Sequence, residues 1–297
     1  MDGAEPLAER MRPGELATFV GQEHLLGDGR ALQRCLRHGH LHSMVLWGPP
    51  GTGKTTLARL LARATEAEWR TLSAVTSGVR ELRAVVAEAT QLRAQGRRLV
   101  LFVDEVHRFN KAQQDGFLPP VEDGTLLLIG ATTENPSFEL NNALLSRLRV
   151  HVLRPLTESD LLQLLTTAIH DRERGLGGRE LTLSADAAAL LARAADGDAR
   201  RALTLLETAA DLADTGIGIE QVSEAIGSGW RRFDQGGDLF YDQVSALHKS
   251  IRSSDPDATL YWLTRMLEGG EDRLFIGRRL VRIASEDVGL ADPRALE

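Results

Sequence analysis

Apolar residues fall along this chain in two alternating rhythms. Short apolar runs occur at residues 44–47, 99–103 and 125–131, and shorter strand-like stretches at 69–72 and 150–153. The run 99–103 is continuous and bounded by turn signals, as expected of a strand covered on both faces in a parallel sheet, and 125–131 reads as another buried strand. Between the runs, apolar positions return every three or four residues. Leu82, Val85, Val86, Ala89 and Leu92 mark the core stripe of a helix over 79–94, and residues 55–63 predict another. Strands alternating with helices predict an α/β domain over residues 1–155 with a five-stranded parallel sheet. A short helix is expected at about 31–37, and Pro119-Pro120 is expected to break any helix there.

From residue 156 the strand rhythm stops. Thr157, Ser184 and Asp198 stand as N-caps before helices beginning at 158, 185 and 199, the last reaching about 213, so 156–227 predicts a small all-helical domain. The glycine-rich stretch 227–237 reads as a linker. Beyond it, Asp255-Pro256 opens a helix that Gly269-Gly270 ends, and another covers about 272–286. Tyr261, Trp262, Met266, Leu267 and Leu274 are expected to pack as helix core, with some of that surface free for another subunit.

At 297 residues and 42% hydrophobic, the chain can bury a sizeable core in two or three domains. Its apolar runs are too short to span a bilayer, and its acidic N-terminus lacks a signal pattern, so a soluble cytoplasmic protein is expected. Cys35 is the only cysteine, which fits a reducing compartment. His38, His40 and His42 lie near it but match no standard zinc spacing, and a polar loop explains them. The net charge of −7 argues against coating nucleic acid with the whole surface. A local track remains open: Arg80, Arg83, Arg108 and Lys111 follow the second and third strands, placed either to meet phosphates or to form a solvated charged face. No base-reading element is visible, so recognition of a DNA sequence is not expected.

The chemistry begins at residue 48. Gly48-Pro49-Pro50-Gly51-Thr52-Gly53-Lys54-Thr55-Thr56 follows an apolar strand and opens a helix, the context of a phosphate-binding loop. Glycines let bare backbone N–H groups approach anionic oxygens, Lys54 places a charge on the outer phosphates, and Thr55 offers a hydroxyl to Mg2+. The helix dipole points at the same anion. The third run delivers Asp104-Glu105 to its carboxyl end, where open α/β sheets bind ligands. Asp104 is placed to hold the magnesium shell and Glu105 to polarise the water that attacks the γ-phosphate, so hydrolysis is implied as well as binding. A polar residue after the fourth run, at Thr132-Thr133-Glu134-Asn135-Pro136, is placed to sense the γ-phosphate or orient that water. Taken alone, Arg147 before the fifth run reads as a surface charge.

In this order the motifs resemble those of an AAA+ ATPase of the clamp-loader clade. The resemblance makes residues 48–55 the Walker A motif, 99–105 Walker B and Thr133 sensor 1. It makes Ser146-Arg147 the box that supplies an arginine finger to a neighbouring subunit, and Gly197-Asp198-Ala199-Arg200 sensor 2, with Arg200 reaching the γ-phosphate from a helical lid. Arg12-Pro13 with residues 19–27, then residues 104–115, 129–140, 245–250, 260–263 and 284–293, are similar to the replication-associated recombination protein A family, and the similarity covers nearly the whole chain. It implies a DNA-dependent ATPase acting at stalled replication forks, with ATP and Mg2+ bound and Glu105, Arg147, Thr133 and Lys54 catalytic. The implied partners are single-stranded or forked DNA without sequence specificity, further copies in a homotetramer, single-stranded-DNA-binding protein and replisome components, with no membrane and, in a bacterium, a nucleoid-associated location. The chain departs from the family at Pro120, where histidine is more frequent. It also stops where the family continues, so a fragment ending inside a helical tetramerisation domain (residues 228–297) is expected. Two other classes compete. A protein unfoldase would carry an aromatic pore loop after the second strand, and residues 73–78 have none. A nucleotide-gated scaffold would tolerate Glu105→Gln.

Overall fold

The computed structural model describes residues 5–30, 32–34, 38–74, 78–233, 238–268 and 273–296. They form two compact units, Met1–Val222 and Ser223–Glu297. Cys35 and most of the expected 31–37 helix lie outside the described residues, as do the middle of the 73–78 turn and Gly269-Gly270.

In the first unit a one-turn helix, α1 (Leu7–Arg10), precedes the sheet. The strands are β1 (Met44–Trp47), β2 (Glu68–Ser73), β3 (Leu99–Asp104), β4 (Leu127–Thr132) and β5 (Arg149–Val152). All pair in parallel in the order β2-β3-β4-β1-β5, the five-stranded sheet the apolar runs predict. Successive residues point to opposite faces. Met44, Leu46, Val100, Phe102, Ile129 and Ala131 pack against Leu57, Ala58 and Leu61 of α2 (Lys54–Ala64). Val45, Leu101, Val103 and Leu128 pack on the other side against Leu82, Ala89 and Leu92 of α3 (Val79–Ala94). Because β4 lies between β3 and β1, the carboxyl ends of these three strands are neighbours. The jump in strand order opens a crevice there.

Pro119-Pro120 does not break a helix. Both sit in the first turn of α4 (Leu118–Glu122), where amides have no intrahelical partner and proline costs nothing. After β5, α5 (Glu158–His170), α6 (Ala185–Ala195) and α7 (Ala199–Asp211) start at Thr157, Ser184 and Asp198, whose side chains accept from the amides of Asp160, Ala187 and Arg201. The helix α7 stops at Asp211 rather than 213, where the Arg179 guanidinium bonds the Ala210 carbonyl and the Asp211 carboxylate. This region is not all-helical: β6 (Thr182–Leu183) and β7 (Gly216–Ile217) pair in parallel. Two residues per strand are too few to leave a periodic signature.

The expected linker is also corrected. A helix, α8 (Ile219–Phe233), runs through most of it. Apolar residues at 219, 222, 226, 230 and 233 keep a helical period, and each glycine costs only about 1 kcal/mol relative to alanine. Residues 234–237 lie outside the described part. In the second unit, Leu247, Met266 and Ile276 join α9 (Asp238–Arg252), α10 (Pro256–Glu268) and α11 (Arg273–Ile283), with Trp262 and Leu263 packed beside them. Tyr261, Leu267 and Leu274 are not core but 54%, 43% and 72% exposed. The buried stripe of α10 follows 262, 263 and 266, and that of α11 follows 276 and 283, which turns those three residues outward. Among the described residues no helix is long and apolar enough to cross a membrane.

Candidate nucleotide site

The loop after β1 lies over the carboxyl end of the sheet, fixed by the Gly48 amide donating to the Thr132 carbonyl of β4 (3.2 Å). Gly51 and Gly53 have φ of +67° and +92°, the left-handed region. A Cβ on Gly51 would stand 1.8 Å from the Asp198 carboxylate, and one on Gly53 would stand 2.8 Å from the Phe19 ring. Backbone amides therefore stay bare along this turn. Lys54 is 8% exposed, and its ammonium donates to the carbonyls of Gly48 (2.7 Å) and Pro49 (2.8 Å). Burial pulls its pKa down, while the carboxylates of Glu105, Asp104 and Asp198 oppose that pull.

One cleft is lined by Pro50 through Thr56, Asp104, Glu105, Thr133 and Arg200. The structure thus brings together most of the residues singled out in the sequence. Gly48 and Pro49 turn their carbonyls to Lys54 and do not line it. The Thr56 hydroxyl accepts from the Arg12 guanidinium (3.1 Å). The lid reaches the loop directly, because the Ala199 amide, at the start of α7, donates to the Gly51 carbonyl (3.1 Å). Arg147 stands apart from this cleft. Its Nε and Nη2 bond the Glu122 carboxylate of α4, and its Nη1 donates to the Ala143 carbonyl (2.6 Å) and the Ser146 hydroxyl (3.0 Å).

Glu105 directly follows β3 with φ of +50°, unusual for a residue with a side chain. Its Oε2 is buried and accepts no hydrogen bond. Glu105 lines the cleft, and its side chain is 32% exposed, so the carboxylate reaches a water there while Oε2 is turned toward His107 (3.3 Å). Thr55 and Asp104 offer a hydroxyl and a carboxylate to the same cleft. Among the described residues no group of three or more His, Cys, Asp or Glu could hold a metal alone. This donor set fits Mg2+, which takes one or two protein oxygens and completes its shell with water and substrate phosphates. His42 and His151 bring their Nε2 atoms to 3.3 Å elsewhere, on the β1–β5 side of the sheet.

One wall of the cleft escaped the sequence reading: Met11, Arg12, Pro13, Phe19 and Val20. Gln22, 6% exposed, holds this segment down, its amide donating to the Arg154 carbonyl (2.7 Å) and accepting from the Arg154 amide (3.0 Å). Farther back, the Leu7 amide donates to the Glu207 carboxylate of α7 (2.9 Å). The only signal for this wall was the resemblance at Arg12-Pro13 and residues 19–27. No periodicity marks it.

Three family profiles match parts of the chain. One described as "ATPase family associated with various cellular activities (AAA)" matches residues 44–156, "AAA C-terminal domain" matches 177–252, and "MgsA AAA+ ATPase C terminal" matches 253–297. Replication-associated recombination protein A of Escherichia coli (strain K12) is 56% identical over 99% of this chain and 67% of its own length. The chain belongs to the replication-associated recombination protein A family. As a member of that family with an AAA ATPase domain it is an ATP hydrolase. The family member of Bacillus subtilis is 41% identical over 98% of this chain and 69% of its own, and ATPase WRNIP1 of Dictyostelium discoideum 45% over 98% and 36%. Among solved structures, the Thermotoga maritima RuvB Holliday junction branch migration motor superposes with a TM-score of 0.63, at 28% identity, over 82% of this chain and 79% of that one.

Proposed function

We propose that the chain hydrolyses ATP between subunits of a homo-oligomer, under the control of single-stranded or forked DNA, and remodels stalled replication forks during recombination and repair. The supporting observation is the separation of Arg147 from the cleft that gathers Lys54, Asp104, Glu105, Thr133 and Arg200. A cleft with a base and charge clamps, and an arginine held elsewhere on its own chain, fits an active site that a neighbouring subunit's arginine completes. In this reading the loop 48–55 binds the phosphates, Thr55 and Asp104 hold Mg2+, and Glu105 takes the proton of the attacking water. Thr133 orients that water, Arg200 reads the γ-phosphate from the lid, and Arg147 acts in the neighbour's cleft. Mg2+, when bound, neutralises charge on the β- and γ-phosphates. Support for the DNA link comes from the relatives' names and from a branch migration motor among the structural neighbours. The same kinship favours a cytoplasmic location beside the nucleoid, with single-stranded-DNA-binding protein and replisome components as partners.

The test is ATP turnover against protein concentration, with and without single-stranded and forked DNA, with mass determined in parallel. Glu105→Gln is expected to bind nucleotide and lose turnover by about 10²–10⁴-fold, and Arg147→Ala by about 10³-fold or more. Mixing the two variants should restore part of the activity, because a Glu105→Gln subunit still offers its arginine to an intact cleft. Full turnover by monomeric protein or by Arg147→Ala, or indifference to DNA, would overturn the proposal.

A further inference from the structure

We propose that His107 is a positioning residue for hydrolysis, holding the Glu105 carboxylate in register with the end of β4. The inference rests on the role given to Glu105 above and adds a residue to it. His107 lies in the one-turn helix Val106–Arg108 that follows Glu105, and its side chain is 14% exposed. Its Nδ1 stands 2.8 Å from the hydroxyl of Thr132, a fully buried residue at the end of β4, and 3.3 Å from the buried, unbonded Oε2 of Glu105.

Counting protons assigns the tautomer. The Thr132 hydroxyl oxygen has one proton to give. It already accepts from the Glu134 amide (3.0 Å), and it faces both the Glu134 carbonyl (3.3 Å) and Nδ1. If it donated to Nδ1, that nitrogen would turn a lone pair toward the Glu105 carboxylate, setting acceptor against acceptor. Placing the proton on Nδ1 removes the conflict. Nδ1–H then donates to Thr132, Thr132 donates to the Glu134 carbonyl, and the positive edge of the imidazole faces Glu105. The imidazole thus bonds the end of β4 through Nδ1–H while its positive edge stands 3.3 Å from the carboxylate that follows β3. Thr133, the residue that follows β4, lines the cleft with Glu105. His107 therefore couples the strand end that carries the proposed base to the strand end that carries the proposed water-orienting group. The left-handed backbone of Glu105 sets where its side chain starts, and His107 sets where it ends.

The experiment compares His107→Ala and His107→Asn with the parent protein, at saturating DNA and at the protein concentration of highest turnover. The readouts are kcat, KM, fluorescent ATP-analogue affinity and thermal midpoint. The alanine variant should lose about 10- to 100-fold in kcat, with KM and analogue affinity within about twofold. Asparagine, which returns an N–H near the Nδ1 position, should recover most of that loss. In a Glu105→Gln background, His107→Ala should add nothing further. An unchanged kcat in His107→Ala overturns the proposal, and so does a loss that falls equally on affinity and thermal midpoint and is not rescued by asparagine. The Glu105→Gln protein separates the two levels. If it turns over ATP normally, the reading of Glu105 has failed; if it is inactive while His107→Ala is not, only the positioning role has failed.

Discussion

Gly51 and Gly53 show how two separate constraints can select the same residue. Each has a φ that side chains disfavour, and each is also crowded, Gly51 by the carboxylate that caps α7 and Gly53 by the Phe19 ring. Gly51→Ala is therefore expected to displace the start of α7 as well as strain the loop. It should cost more than about 1 kcal/mol in chemical denaturation and weaken nucleotide affinity in a fluorescence titration. Lys54, Thr55, Asp104 and Glu105 were legible because strand, loop and helix impose their spacing locally. His107 and Gln22 were not, because their bonds join residues 25 and 132 positions apart, and no local pattern records such a partner. Titration offers another test at this scale. Burial, followed by Arg149 and His151, holds the His42 pKa down to about 4 from 6.5. Between those values the unfolded chain binds the proton and the folded chain does not, so stability rises with pH from about 4 to 6.5 and then levels. His42→Gln should flatten that rise in urea midpoints measured across the window.

Among the elements, the strands were the most readable, since β1, β3 and β4 are apolar on both faces and admit no other packing. Short elements were the least. In α4 two prolines look like breakers until their place in the first turn is known, and β6 and β7 are too brief to signal at all. The chain leaving β5 is joined to the N-terminal segment by Gln22, whose amide side chain satisfies both backbone groups of Arg154. Gln22→Ala would leave these groups without their partner, at about 1–3 kcal/mol for each that stays buried. A lower denaturation midpoint together with weaker nucleotide binding is expected; a change in midpoint alone would confine this clasp to folding.

At the scale of the whole molecule, the residues that line the cleft run from Ala8 to Leu203, all within the first compact unit. A chain ended after Phe233 should keep nucleotide affinity in the fluorescence titration while losing turnover, if the second unit serves assembly. Loss of affinity in that shortened chain would instead assign the second unit a part in building the site. The tie from Leu7 to Glu207 crosses 200 residues of sequence. A ribosome adding about 5–20 residues per second needs roughly 10–40 s to make that stretch. For that interval the emerging phosphate loop has its strand and its glycines but lacks the wall that the lid secures, and the segment around Leu7 waits for a partner made long after it.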